Sequence, residues 1–157
     1  MLYLIRHAEA SDGEPDAKRP LSGTGRKQVQ RLGAFLKRCT EPPPPEIWHS
    51  PLLRAQETAL LLAERAGWEV GLRSVESIKP DDNPSLIAPK LESFQHSLAI
   101  VGHNPHLTLL ATLLVTGRCV PPAFVVRKCA VIALEPARGR GNGCWVVDWQ
   151  VAPELLM

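Results

Sequence analysis

Short apolar runs alternate along this chain with segments in which apolar residues recur every three or four positions. The runs predict strands buried on both faces, as in a parallel sheet, and the periodic segments predict amphipathic helices. The predicted strands are residues 2–5, 47–48, 68–75, 98–101, 130–134 and 145–151. The alternation predicts an α/β fold, a three-layer sandwich in which helices flank a mainly parallel central sheet. The last two strands, joined by a Gly- and Arg-rich turn at 137–143, are expected to form a hairpin that adds antiparallel character.

The predicted helices differ in how clearly their ends are marked. Residues 24–39 carry apolar side chains at helical spacing. A second helix is expected to begin at Ser50, an N-cap residue followed by proline, and to end before Gly67. Residues 77–96 are expected to form a loop and then a helix, and Asn104, which precedes another proline, is expected to open the last helix. The alternating Trp-rich segment 145–149 is expected to be a half-buried strand of the core.

Length and composition narrow the functional classes. At 157 residues the chain fits one domain, residues 1–157. Eighteen Lys and Arg against sixteen Asp and Glu give a charge of +2, too small for the basic footprint of a nucleic-acid binder. No stretch reaches the ~18 apolar residues of a membrane span, and no basic region precedes an apolar segment as in a signal peptide. We therefore expect a cytoplasmic monomer with no nucleic-acid or membrane partner.

The cysteines and histidines do not suggest a metal protein. The four cysteines form no C-x-x-C pair, and the sequence offers no clear cluster of metal ligands. We therefore expect no metal and no other cofactor.

Four residues at the ends of predicted elements indicate an anion site. Arg6 and His7 follow the first strand, His103 follows the strand at 98–101, and Arg54 lies in the first turn of the second helix. Ligands of α/β sheets bind outside the carboxyl ends of strands, so the two histidines should face one crevice. A cation in a first helical turn costs about 0.3–1 kcal/mol unless an anion is bound there. With no obvious acidic neighbour, these residues fit phosphate better than a metal.

Three sequence blocks carry a resemblance to a known superfamily. Residues 4–9 (Leu-Ile-Arg-His-Ala-Glu) resemble the RHG signature of the histidine phosphatase superfamily, and residues 50–58 and 101–105 resemble its second and third blocks. Residues 19–25 (Arg-Pro-Leu-Ser, then glycine at the seventh position) are similar to the RPL(S/T)xxG stretch of the SixA-type phosphohistidine phosphatases. Ala8 stands where the superfamily has glycine, and in this respect the chain resembles the SixA-type branch.

The resemblance implies a role for each of the four residues. His7 would be the nucleophile that accepts the phosphoryl group, and Arg6, Arg54 and His103 would hold its oxygens and neutralise charge in the transition state. Imidazole suits this role because its ordinary pKa of ~6.5 leaves a neutral nitrogen near pH 7. Further candidates for substrate binding are Arg19, Ser50, Asn104 and His106. Two of them have alternative readings: the Arg19 side chain as a plain loop cation, and the His106 side chain as a surface residue.

A general acid is harder to identify. Many members of the superfamily use a Glu or Asp between the second and third blocks to protonate the leaving oxygen. Glu76 and Asp81 are the candidates here, with Asp82 beside them, but aligning the L-x-P pattern puts Ser77 at the usual position. The carboxylates are equally well explained as solvated loop residues. An alkoxide needs a proton to leave, whereas imidazole, with a pKa of ~6.5, leaves readily.

These considerations predict a protein phosphohistidine phosphatase that acts through a covalent phosphohistidine intermediate on His7. The resemblance implies a histidine-containing phosphotransfer or phosphocarrier protein as the partner. The short chain leaves little material for a lid, which suits a protein substrate. The alternatives are a small-molecule phosphomonoesterase of the same superfamily and a non-catalytic phosphoprotein-binding module, although a binder does not need the nucleophile.

Overall fold

The computed structural model describes residues 1–40, 42–137 and 145–156, in which six strands form one sheet in the order β3-β2-β4-β1-β5-β6. The strands are β1 (Leu2–Arg6), β2 (Glu46–His49), β3 (Gly71–Ser74), β4 (Leu98–Gly102), β5 (Val131–Pro136) and β6 (Trp145–Val151). Strands β1 to β4 pair in parallel, and β5 and β6 are antiparallel. The predicted α/β class with an antiparallel C-terminal pair is confirmed. Residues 138–143 of the predicted turn lie outside the described residues.

Helices cover both faces of the sheet, as the three-layer prediction requires. They are α1 (Gly23–Cys39), α2 (Leu53–Ala66), α3 (Ala88–Glu92) and α4 (His106–Thr116). Apolar side chains of α1 and α2 form a core on one face, and those of α3 and α4 form a second core on the other. Gly33 allows α1 and α2 to pack closely, since a Cβ there would lie 2.5 Å from the Cβ of Arg65. Short 3₁₀ turns lie at Asp16–Lys18, Glu76–Ile78, Pro84–Leu86 and Pro153–Leu155.

The start of α1 is fastened to the loop that follows β1. The Ser22 hydroxyl accepts the Gly25 N–H at 3.0 Å and so caps the helix, and the Ser22 N–H donates to the Glu9 carbonyl oxygen at 3.0 Å. A Cβ on Gly25 would overlap the same Glu9 carbonyl oxygen. Position 25 therefore requires glycine because of a close backbone approach, not because of a left-handed conformation.

Four predicted element boundaries are wrong. Helix α4 begins at His106 with Pro105 as its N-cap, so Asn104 does not open it. Helix α2 begins at Leu53, and Leu52, not Ser50, is its N-cap, because the Ser50 N–H is still bound to the sheet through the Val101 carbonyl oxygen at 3.0 Å. Strand β3 begins at Gly71, whereas Trp68 packs into the core beside α1 and α2. The predicted helix within 77–96 is reduced to the short α3 and two 3₁₀ turns.

Strand β6 does not alternate regularly as expected. Its pairing with β5 shifts by one residue between Ala133 and Leu134. The bulge places Trp145 in the core that contains α3 and α4, and Trp149 against the core that contains α1 and α2. Both tryptophans contact a core, but they lie on opposite faces of the sheet.

Candidate active site

Three adjacent parallel strands each end at a histidine. His7 follows β1, His103 follows β4, and His49 is the last residue of β2. The His7 N–H donates to the Gly102 carbonyl oxygen at 2.9 Å, and the His7 and His103 ring centroids are 4.8 Å apart. The structure thus brings together the two histidines singled out from the sequence. His49 pairs with Val101 of the adjacent strand β4, and its Nδ1 lies 2.9 Å from the Ser50 carbonyl oxygen.

The His7 ring is oriented by its own backbone neighbour. Its Nδ1 lies 2.7 Å from the Ala8 carbonyl oxygen. A carbonyl can only accept, so Nδ1 carries the hydrogen and the lone pair of the neutral ring is on Nε2. Burial lowers the pKa of His7 to about 4, with smaller contributions from the charges of Arg54 and Arg6, while the hydrogen bond to Ala8 acts in the opposite direction. At neutral pH the ring is therefore uncharged, with its lone pair on Nε2.

His103 is enclosed more completely than His7. The residue is 1% exposed, and neither ring nitrogen has a partner among the described residues. Burial, followed by the charges of His7 and Arg54, lowers the pKa of His103 to about 3. A buried polar group without a partner is costly, at roughly 1–3 kcal/mol. Such a group is suited to receive a polar ligand at this edge of the sheet.

Arg6 and Asn104 hold the same loop. Arg6 Nη1 and Asn104 Nδ2 each donate to the Val126 carbonyl oxygen at 3.0 Å. The Asn104 Oδ1 accepts from the Thr108 hydroxyl at 3.1 Å, so both ends of its amide are engaged within the protein. The Arg6 Nε is buried and has no partner in the described chain. Arg6 thus keeps a donor for a ligand, whereas Asn104 is placed to support the loop.

Arg54 has an acidic neighbour, contrary to the sequence-based expectation. Its Nη1 donates to the Asp16 backbone oxygen at 3.0 Å and to Asp16 Oδ2 at 3.2 Å, and its Nη2 donates to the same Oδ2 at 3.2 Å. Asp16 Oδ1 accepts from Arg19 Nη1 at 3.0 Å. Arg19 also donates from Nε to the Ser11 carbonyl oxygen at 2.8 Å. The predicted substrate-binding residue Arg19 therefore reaches the site through Asp16.

A buried threonine, which the sequence reasoning did not single out, fastens α2 to the residue after His7. The Thr58 hydroxyl donates to the Arg54 carbonyl oxygen at 2.7 Å and accepts the Ala8 N–H at 3.1 Å. Thr58 is completely buried. The signal for it was its place one turn after Arg54, on the same face of the helix.

Two predicted substrate-binding residues are fully buried. Ser50 is 0% exposed, and its hydroxyl accepts the Leu52 N–H at 3.3 Å, so it shapes the entry into α2. His106 is also 0% exposed, which makes the surface alternative wrong. Burial lowers its pKa, and the Asp82 carboxylate acts in the opposite direction. Neither His106 ring nitrogen has a partner within the described residues.

The candidate acids make contacts away from the histidines. Glu76 is exposed and forms an ion pair with Lys79 Nζ at 3.0 Å. Asp81 is exposed, and Asp82 Oδ2 accepts the Lys79 N–H at 2.7 Å. Asp16 is the carboxylate in direct contact with Arg54, and hydrogen bonding to Arg19, together with the charge of Arg54, lowers its pKa. A carboxyl group that stays ionised is a poor proton donor at neutral pH.

Metal-binding clusters and membrane-spanning helices are both absent from the described residues. No group of three or more His, Cys, Asp or Glu is arranged to hold a metal ion in residues 1–40, 42–137 and 145–156. Over the same ranges, no helix has both the length and the apolar character needed to span a membrane.

The chain matches a family model in sequence and several solved structures in fold. The family model of the histidine phosphatase superfamily, branch 1, matches residues 2–75, which include His7 and Arg54. The fold is similar to a solved structure of the protein histidine phosphatase SixA complexed with tungstate. The TM-score is 0.87 at 20% identity, with 98% of this chain and 97% of that chain covered. This confirms the resemblance to the histidine phosphatase superfamily. No curated protein matches the sequence.

Two other proteins of similar structure are named as phosphatases of small molecules. The α-ribazole phosphatase from Shigella flexneri has a TM-score of 0.70 at 18% identity, with 93% of each chain covered. A mycobacterial glucosyl-3-phosphoglycerate phosphatase complexed with VO3 also has a TM-score of 0.70 at 18% identity, with 94% of this chain and 97% of that chain covered. At such identities the likeness concerns the fold.

Proposed function

We propose that the chain is a protein phosphohistidine phosphatase that acts through a covalent phosphohistidine intermediate on His7. One observation carries the proposal: the His7 ring is neutral, its Nδ1–H is held by the Ala8 carbonyl oxygen, and its Nε2 lone pair is free of protein partners in the described chain. The charges of Arg54 and Arg6 act on this ring. A phosphoryl group beside it would meet fixed cationic donors, which stabilise its transition state.

The reaction proceeds through two displacements at phosphorus. In the first, His7 Nε2 attacks phosphorus, and the bond from phosphorus to the substrate imidazole nitrogen breaks with its electron pair going to that nitrogen, which takes a proton from solvent. In the second, water attacks the phosphohistidine, the P–Nε2 bond breaks, and the electron pair returns to Nε2 while water gives its proton to solvent. Each step passes through a transition state with charge on three equatorial oxygens, which Arg6 and Arg54 can neutralise.

The environment of the carboxylates supports a phosphohistidine substrate. Glu76 is paired with Lys79, and Asp16 is ionised by its arginine partners. An alkyl phosphate ester would need a proton donor, because alkoxide is a poor leaving group. An imidazole leaving group needs no dedicated acid because its ordinary pKa is ~6.5. The partner in this proposal is a histidine-containing phosphotransfer or phosphocarrier protein.

A second candidate is a small-molecule phosphomonoesterase. It is supported by the similarity to structures named α-ribazole phosphatase and glucosyl-3-phosphoglycerate phosphatase. The higher TM-score and the near-complete mutual coverage with SixA favour the protein substrate.

The deciding experiment compares phosphate release from a phosphohistidine phosphotransfer protein and from an unactivated sugar phosphate, whose alkoxide leaving group needs a proton donor. The parent chain, His7→Ala and the exposed control His96→Ala are assayed side by side. We expect fast release from the phosphoprotein by the parent and by the control, slow ester hydrolysis, and loss of both reactions in His7→Ala. Faster ester hydrolysis would favour the phosphomonoesterase and direct attention to Glu76 and Asp81. Phosphate binding without turnover of either substrate would favour a binding module.

A further inference from the structure

We infer that Asp16 is a positioning residue that holds the Arg54 guanidinium so that one complete edge faces a phosphoryl group. The inference rests on the proposed function, since it assigns Asp16 a role in the same site. Asp16 lies in the loop after β1, far from Arg54 in sequence, and it belongs to none of the blocks that carry the resemblance.

The hydrogen bonds divide the guanidinium into an occupied and a free part. A guanidinium has five N–H donors in a planar fork. Both hydrogens of Arg54 Nη1 and one of Nη2 are directed to Asp16, at 3.0–3.2 Å. The remaining hydrogens, on Nε and Nη2, lie parallel along one edge of the plane. This is the paired geometry that binds two oxygens of a phosphate.

Asp16 is itself held in place. Its Oδ1 accepts from Arg19 Nη1 at 3.0 Å, and Arg19 Nε donates to the Ser11 carbonyl oxygen at 2.8 Å. The base of this loop is closed by the hydrogen bond from the Ser11 N–H to the Pro20 carbonyl oxygen at 2.8 Å. The Asp16 carboxylate therefore bridges two arginines. One is Arg19, which is bound to the loop backbone, and the other is Arg54, in the first turn of α2.

Asp16 is expected to contribute little to the free energy of unfolding. Its side chain is 58% exposed, whereas that of Arg54 is 7% exposed. Ion pairs with an exposed partner contribute little to stability. A negative charge next to an anion site also repels the anion. Electrostatics alone thus predicts tighter oxyanion binding when the charge is removed, and a positioning role predicts weaker binding.

The test is a calorimetric titration of the full chain with tungstate, using Asp16→Asn and the control Glu14→Gln. Asn keeps the shape of Asp and removes the charge. Glu14 is an exposed carboxylate on the same loop that forms no ion pair in the described residues. We expect Asp16→Asn to weaken tungstate binding by about 10-fold, within the range of coupled contacts, and the control to stay within about 2-fold. Unchanged or tighter binding by Asp16→Asn would overturn the inference.

A double-mutant cycle separates positioning from a general disturbance of the loop. In an Arg54→Lys background, Asp16→Asn should change tungstate affinity by less than about 2-fold, because the fork that it orients is gone. Equal losses in both backgrounds would refute a role through Arg54. Melting curves check that each variant is folded. Tungstate binding needs no turnover, so a parent chain that binds the ion but hydrolyses neither substrate contradicts the proposed function alone. A parent chain that binds no tungstate overturns both.

Discussion

Acidification from pH 7 to pH 4.5 should destabilise the fold because buried histidines are held neutral in it, His7 and His103 most strongly. Burial lowers the pKa of His7 to about 4 and that of His103 to about 3, from an ordinary value of 6.5. Between pH 6.5 and about pH 4 the unfolded chain therefore binds more protons than the folded one. Stability rises with pH across this window and is lost as the pH falls through it.

The magnitude follows from the size of the shifts. One pKa unit corresponds to 1.36 kcal/mol. At pH 4.5, His7 with a pKa of about 4 loses about 2.5 kcal/mol relative to an ordinary histidine. His103 has a similar loss, but each ring contributes to the other's surroundings, so we expect about 3–5 kcal/mol for the pair. Native domains have only about 5–15 kcal/mol in total, which makes this a large effect.

Urea unfolding of the parent chain at pH 7 and at pH 4.5 measures the loss directly. In His103→Asn the loss should be smaller by about 2 kcal/mol, since one titrating ring is gone. His96→Asn, in which an exposed ring is replaced, should behave as the parent does. An equal loss in parent and His103→Asn would refute the reasoning. NMR titration of the imidazole rings in the parent gives a second test that needs no variant, and midpoints near 6.5 for His7 and His103 would also refute it.

Three further predictions concern single positions. Gly25→Ala should lower the free energy of unfolding by about 2–4 kcal/mol in urea titrations, because its Cβ would overlap the Glu9 carbonyl oxygen. Thr58→Val should cost about 1–3 kcal/mol by the same measurement and lower kcat, because it leaves the buried Ala8 N–H without an acceptor; an unchanged midpoint would contradict this. Glu76→Gln should change kcat/KM on a phosphohistidine protein by less than about 2-fold, because its carboxylate is exposed and paired with lysine; a loss above 10-fold would identify it as the acid.

The predictable part of the fold is the part that local patterns encode. The apolar runs of β1 and β4 are buried throughout, so their composition alone indicates central strands. Strand β3 is exposed at every residue and forms through backbone pairing with β2, so no apolar pattern marks where it begins. Trp68 misled the strand prediction because a buried aromatic residue that follows a helix carries the same composition signal.

The candidate site, like the fold, could be predicted only in part from the sequence. His7 and His103 follow buried strands, and the parallel order of the sheet brings their rings together. Asp16 could not be found, since its contact with Arg54 depends on how a long polar loop folds back over α2. His106 was misjudged because its sequence context does not reveal that its ring is fully buried.

The bulge in β6 has a consequence for how unfolding of this chain can be observed. It separates Trp145 from Trp149, so that the four tryptophans divide evenly between the two cores. Trp48 and Trp145 emit from the core that contains α4, and Trp68 and Trp149 emit from the core that contains α2. Replacing one pair by phenylalanine leaves a fluorescence signal from a single face of the sheet. One such variant would report on the layer that contains α2 and Arg54, and the other on the layer that contains α4. Their unfolding rates, measured by fluorescence, would show which layer unfolds first.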